Sequence, residues 1–241
     1  MKANRLSILL LCLFCFAFAA GDETCAKSES AEKYRYEAVP LGDEDMQKEI
    51  IDMEVSRSGL NLRYRTKSVS PAGLEEIEIE TDPAGRFVSA SRRFSPAQRE
   101  TMTAEKIWRE DKKAYLKKGM EPGGTVRSFD LPTDKFFAVD GSLLVLLRGF
   151  PFGRGEAWPI YMVDFSGSSV TVTLRQTGIE SITVPAGTFD CYRIEVTVEI
   201  PIFRPRVIYW VTKKEPHFLV KSIGSRGPFT RSYAISLLSI E

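Results

Sequence analysis

The chain has 241 residues, with 33 lysines and arginines against 32 aspartates and glutamates, and a single histidine. That balance excludes a dedicated nucleic-acid binder, which would carry a basic excess or stripe. One histidine excludes the usual multi-imidazole metal centre, and a chain this long can bury a core without disulfide staples.

The N-terminus reads as an export signal. Lys2 and Arg5 precede an uncharged apolar run, Leu6 to Phe18, and Ala17-Phe18-Ala19 supplies a small-x-small cleavage pattern. The run has about 13 residues, whereas a bilayer span takes about 20. Residues 1–19 are therefore expected to be removed and the mature chain to be periplasmic or secreted. Losing Lys2 and Arg5 leaves 31 basic residues against 32 acidic ones. No later stretch is long and apolar enough for a spanning helix. Cys15 and Cys25 both lack the small residues that precede a lipid-modified cysteine. Residues 20–32 are polar and read as a mobile leader, and residues 33–241 as one β-rich domain.

From Lys33 onward, strand signals recur. Tyr34, Tyr36 and Ala38 alternate with Arg35 and Glu37, and Leu60, Leu62 and Tyr64 with Asn61 and Arg63. Ile77 and Ile79 alternate with Glu76, Glu78 and Glu80, and Asp82-Pro83-Ala84-Gly85 turns the chain into Phe87. Thr101 to Lys118 is better read as a hairpin turning near Asp111 than as a helix, because its cap signals are poor. Asp140, as N-cap, opens a short helix through the apolar run Ser142 to Leu147. Val170, Val172 and Leu174 alternate with threonines. Tyr192, Ile194, Val196, Val198 and Ile200 alternate with Arg193, Glu195, Thr197 and Glu199. Pro185-Ala186-Gly187 before them suits a three-residue hairpin with a bulged glycine. Tyr233, Ile235 and Leu237 alternate until the phase slips at Leu238. One dry and one wet face per strand belongs to an antiparallel sheet. The expected fold is all-β with minor α: a curved sheet, barrel or half-barrel of about a dozen strands with one short helix covering an opening.

Chemistry is harder to find. Cys25 and Cys191 survive cleavage, and export permits a disulfide between them, with two free thiols as the alternative. Parity puts Cys191 on the polar face with Arg193, reachable by solvent unless a bulge flips it inward. His217 beside Pro216 is a turn residue or, with Cys191, a nucleophilic pair lacking a recognisable local signature. Glu76, Glu78 and Glu80 share one face and so form a solvated charge row rather than a glycosidase pair across a cleft. Arg63, Arg65, Lys67, Arg92 and Arg93 are ordinary wet-face cations or contacts for anionic groups. Phe150 and Phe152, and Ile202 and Phe203 between Pro201 and Pro205, are apolar loop groups that either fold back as lids or meet a membrane or envelope protein.

Asp140-Gly141-Ser142, Leu146-Leu147-Arg148, Thr183-Val184-Pro185-Ala186-Gly187-Thr188-Phe189 and Tyr209-Trp210-Val211 before Val220-Lys221 together carry a resemblance. The stretch from Asp140 to Gly224 resembles a secreted Gram-negative domain-of-unknown-function family, number three-one-zero-eight. The resemblance implies an exported barrel or half-barrel similar in shape to envelope lipid carriers. It brings no catalytic residue. The reading that results is a non-catalytic binder of a hydrophobic ligand such as lipid, with no cofactor or metal. Its candidate interior is Val172, Leu174, Tyr192, Ile194, Val196, Val198 and Trp210. The alternative is a packed scaffold for an envelope protein partner, and a hydrolase comes last.

Overall fold

A computed structural model describes residues 31–42, 47–98, 101–119, 123–198, 206–225 and 232–241. The signal segment 1–19, Cys25, Ile200, Ile202 and Phe203 lie outside the described residues. One antiparallel run holds β1 (Glu32–Pro40), β2 (Glu49–Ser58), β3 (Asn61–Ser70), β4 (Gly73–Thr81), β5 (Phe87–Pro96), β6 (Thr103–Glu110), β7 (Lys113–Lys118) and β8 (Val126–Asp130). A second run follows: β9 (Phe136–Val139), β10 (Trp158–Val163), β11 (Ser169–Val184), β12 (Gly187–Val198), β13 (Arg206–Thr212), β14 (Leu219–Ser225) and β15 (Ser232–Ile240). The two runs join where β1 pairs with β15, giving one sheet in the order 8-7-6-5-4-3-2-1-15-14-13-12-11-10-9. Among the described residues only β9 and β10 pair parallel, and α1 (Leu143–Leu146) lies in the crossover between them.

The sheet is not closed, because β8 and β9 are its two edges and do not pair. They are nevertheless consecutive in sequence, and six Cα steps span at most about 22 Å. The sheet must therefore roll until its edges approach. Phe137 of β9 meets Phe87 of β5 edge-on, with ring centroids 5.0 Å apart. The turn between β10 and β11 reaches β7 and β8, where Leu116 and Arg127 crowd Gly167. On β9 itself Phe137 and Val139 point one way and Ala138 the other, and all three are buried. The edge strand is thus tucked inside the curl, as in a scroll.

Burying both faces of β9 splits the core in two. The larger cluster includes Tyr36, Ile79, Ile107, Leu116, Phe137, Cys191, Trp210 and Leu237. The smaller includes Ala138, Leu146, Leu147, Phe150, Ile160, Leu174, Ile194 and Val211. A bulge sorts β11 between them. Gln176 pairs with Ile194 and Gly178 with Arg193, leaving Thr177 extra. One extra residue flips the faces, so Leu174 joins the smaller cluster whereas Ile182 packs on the larger.

Several local expectations are met. Residues 101–118 form the β6–β7 hairpin, and Asp111 takes the left-handed φ of 50° that the turn requires. The slip at Leu238 is a bulge, since Arg35 pairs with Ser239 and Tyr36 with Leu237. Two details differ. Ser142, not Asp140, occupies the N-cap of α1 and makes no side-chain cap bond, because its hydroxyl is spent on the backbone of Val139. Val184 pairs directly with Gly187, so Pro185-Ala186 is a two-residue turn and Gly187 belongs to the ladder at φ 133°.

Candidate functional site

The residues expected to line a hollow interior do not line one cavity. Val172, Leu174, Ile194 and Val196 gather in the smaller cluster, with Leu146, Leu147 and Phe150 packed over them. Leu174 and Ile194 are 0% exposed. A residue beside an open cavity would show surface to water, so the space next to these two is filled by neighbouring side chains. Tyr192, in the middle of β12, and Val198, at its end, are half-buried. Trp210 belongs to the opposite face. It pairs with Arg193 rather than Ile194, its Nε1–H donates to Glu180 Oε2 at 2.8 Å, and Lys221 lies over its ring.

The aromatic loop after α1 folds back as a lid. Phe150 is buried, which removes it as a surface contact, and its ring meets Trp158 edge-on. Phe152 is half-buried and stacks on Tyr192 at 4.3 Å, with His217 tilted against it at 4.5 Å. The row continues to Phe136, whose ring lies 4.4 Å from Trp158.

Cys191 is not the reachable thiol that parity implied. It keeps its register, opposite Thr212, but its face is covered locally and it is completely buried. Burial, then the charges of Asp190 and Glu180, push its thiol up to about 12. An activated nucleophile needs the opposite shift. His217 donates Nδ1–H to the Thr212 carbonyl at 2.8 Å. It packs toward Tyr192, whose side chain points away from that of Cys191, so the two do not form a catalytic pair. Among the described residues, no three His, Cys, Asp or Glu side chains come together as a metal site.

The wet face of β1–β5 carries a trough of about 670 Å³. Cross-strand register organises its charges into columns along the strands: Lys33 and Arg35 on β1, Asp52 and Glu54 on β2, Arg65 and Lys67 on β3, Glu76 and Glu78 on β4. Successive columns are one strand spacing apart, about 4.8 Å. Their charges neutralise each other within the sheet. Arg35 meets Asp52 at 3.5 Å, and Arg65 meets Glu78 at 2.8 Å. Such exposed pairs contribute little stability, but alternating charge keeps the wet face soluble. Arg92 departs from the wet-face expectation. It shares the face of Ile77 and binds Glu75 at 2.7 Å.

Asp140 lies within electrostatic reach of that pair. It is exposed to solvent yet ringed by protein. Burial first, then the charge of Glu75, raises its carboxyl above the usual range.

A rolled, single-sheet, nearly all-β domain with a filled interior is what these elements define. The chain belongs to DUF3108, a family of proteins of unknown function, whose model matches residues 40–227. No curated protein matches it. Two solved structures are similar over most of their length. One, from Parabacteroides distasonis and described as a lipoprotein, is 12% identical and covers 89% of this chain and 96% of its own, with a TM-score of 0.36. The other, from Bacteroides fragilis and described as an exported protein with a YmcC-like fold, is 12% identical and covers 87% and 95%, with a TM-score of 0.32. Scores this low carry no argument about fold or function. No helix among the described residues is long and apolar enough to cross a membrane.

Proposed function

We propose that this protein is an exported, non-catalytic scaffold or interaction protein of the cell envelope. The observation that carries this reading is the filled interior. Leu174, Ile194 and Ile160 are 0% exposed, and α1 and Phe150 occupy the space that an acyl chain would need. The buried Cys191 and the hydrogen-bonded His217 support a reading without covalent chemistry. Function on this reading lies on the surface, where Phe136 is 45% exposed.

Carriage of a lipid is the second reading, favoured by one feature. Helix α1 has four residues and no side-chain cap, so packing alone holds it in place. Native mass spectrometry of protein purified from the periplasm separates the two. The scaffold reading expects the bare polypeptide mass and an empty organic extract. A stoichiometric co-purified lipid would replace it with the carrier reading.

A further inference from the structure

A polar box lies where the 3-10 turn Leu147–Gly149 meets β1 and β3, on the face of β1 opposite Lys33 and Arg35. The guanidinium of Arg148 lies over the rings of Tyr34 and Tyr64, 5.7 Å from each centroid. Its side chain is 15% exposed. Nη2 donates to Glu32 Oε2 at 2.5 Å and to Tyr34 Oη at 3.0 Å, and the Tyr34 hydroxyl donates to the same carboxylate oxygen at 2.6 Å. Behind them is Tyr36, 1% exposed, whose hydroxyl is buried without a hydrogen-bond partner.

One guanidinium and three phenol hydroxyls converge in this box on a single carboxylate. Burial, more than any neighbouring charge, keeps Tyr34, Tyr36 and Tyr64 protonated, and the Arg148 charge acts on all three hydroxyls. The one anion present is Glu32. Burial pushes its carboxyl up, but the hydrogen bonds from Arg148 and Tyr34 outweigh that and hold it below the ordinary range. Native interiors rarely leave a hydroxyl unpaired, and each such case calls for a physical reason. A guanidinium fork flanked by phenol hydroxyls is also the geometry that recognises planar or tetrahedral oxyanions.

We propose that Arg148, Tyr34, Tyr36 and Tyr64 form a binding site for a carboxylate or phosphate group, with the Glu32 carboxylate as its built-in occupant. Glu32 opens β1 and is 39% exposed, so its side chain can swing out while the strand stays paired. The site goes beyond the scaffold reading and does not depend on it.

The test titrates the mature protein, as wild type and as Glu32→Ala, with inorganic phosphate and with acetate at constant ionic strength, followed by NMR. Emptying the box should tighten phosphate binding about tenfold or more, the worth of one charge-assisted contact. Adding Arg148→Lys, which keeps the charge and loses the fork, should reverse that gain, and adding Tyr36→Phe should weaken binding severalfold. If Glu32→Ala fails to fold, Glu32→Gln keeps the shape and removes the charge. Equal phosphate affinity in wild type, Glu32→Ala and Glu32→Ala/Arg148→Lys would overturn the proposal. So would a Tyr36→Phe protein that is more stable but binds phosphate unchanged, since Arg148 would then be only a structural pin. Flotation with phosphatidylcholine vesicles, with and without phosphatidic acid, identifies the source of the anion. Recruitment that needs phosphatidic acid and Arg148 marks a lipid headgroup. Phosphate binding without recruitment marks a soluble oxyanion.

Discussion

Replacing Ile194 by alanine asks whether the scroll is solid. Ile194 is 0% exposed and packs in one cluster with Leu174, Val196, Val211 and Phe150. The substitution deletes three carbons, about 2.4 kcal/mol of transfer free energy at roughly 0.8 kcal/mol each. If the neighbours stay in place, a void of about 80 Å³ adds about 2 kcal/mol. The expected loss is therefore about 4 kcal/mol, toward the upper end for such changes. Urea unfolding measures it as a lower midpoint at unchanged slope. Ile179, 55% exposed on the neighbouring strand, is the control. Its alanine variant should stay within about 0.5 kcal/mol of wild type. In a hollow barrel Ile194 would border space already open, and no new void would form. A loss below about 1 kcal/mol at Ile194 would refute the packed interior and return the carrier reading to first place.

Cys191 should resist a thiol reagent at about pH 8 until the protein is unfolded, measured in a Cys25→Ser background; prompt labelling of the native protein would contradict its burial. Asp140 has a raised folded value, so the native state binds its proton more tightly than the unfolded chain does, and this contribution to stability is lost as pH rises through that value. Asp140→Asn should therefore stabilise the protein near neutrality, and urea midpoints should show the gain fading toward about pH 4, where aspartate is protonated as well. Gly73 and Gly187 end two identical Pro-Ala-Gly turns with positive φ, 145° and 133°. A Cβ at Gly73 would lie 2.2 Å from the Ser95 carbonyl oxygen, whereas at Gly187 it meets only the Phe189 ring at 3.8 Å. Melting should show Gly73→Ala far more damaging than Gly187→Ala, and equal losses would mean that φ strain alone decides.

Alternation revealed the strands that have one wet face, because only there do polar and apolar residues separate. It also revealed the Leu238 bulge, since an extra residue breaks the period. It fails on β9, whose four residues are all apolar and so carry no alternation. The burial of Cys191 escapes the pattern for a related reason. Parity gave its face correctly, but what covers that face is set by the rest of the larger cluster, far along the chain. The sequence alone does not separate Trp210 from Ile194, because the register of β12 against β13 leaves no trace in either segment alone. The Arg148 box had no local signal at all. Glu32, Tyr34, Tyr36, Tyr64 and Arg148 meet because β1 and β3 flank β2 in the sheet and the turn after α1 lays Arg148 over them.

The closing seam of the sheet has a consequence for chain order. Lys33 and Glu241 exchange two backbone hydrogen bonds, at 3.1 and 2.9 Å, in the middle of the molecule. Splicing those ends through a short linker, and cutting instead within 131–135, would yield a permuted polypeptide starting at β9 and finishing at β8. Each strand after β9 would then pair with its predecessor, and the one seam between distant segments would vanish. In the natural order β1 must wait for β15. The permuted chain could zip from one edge to the other and should refold faster.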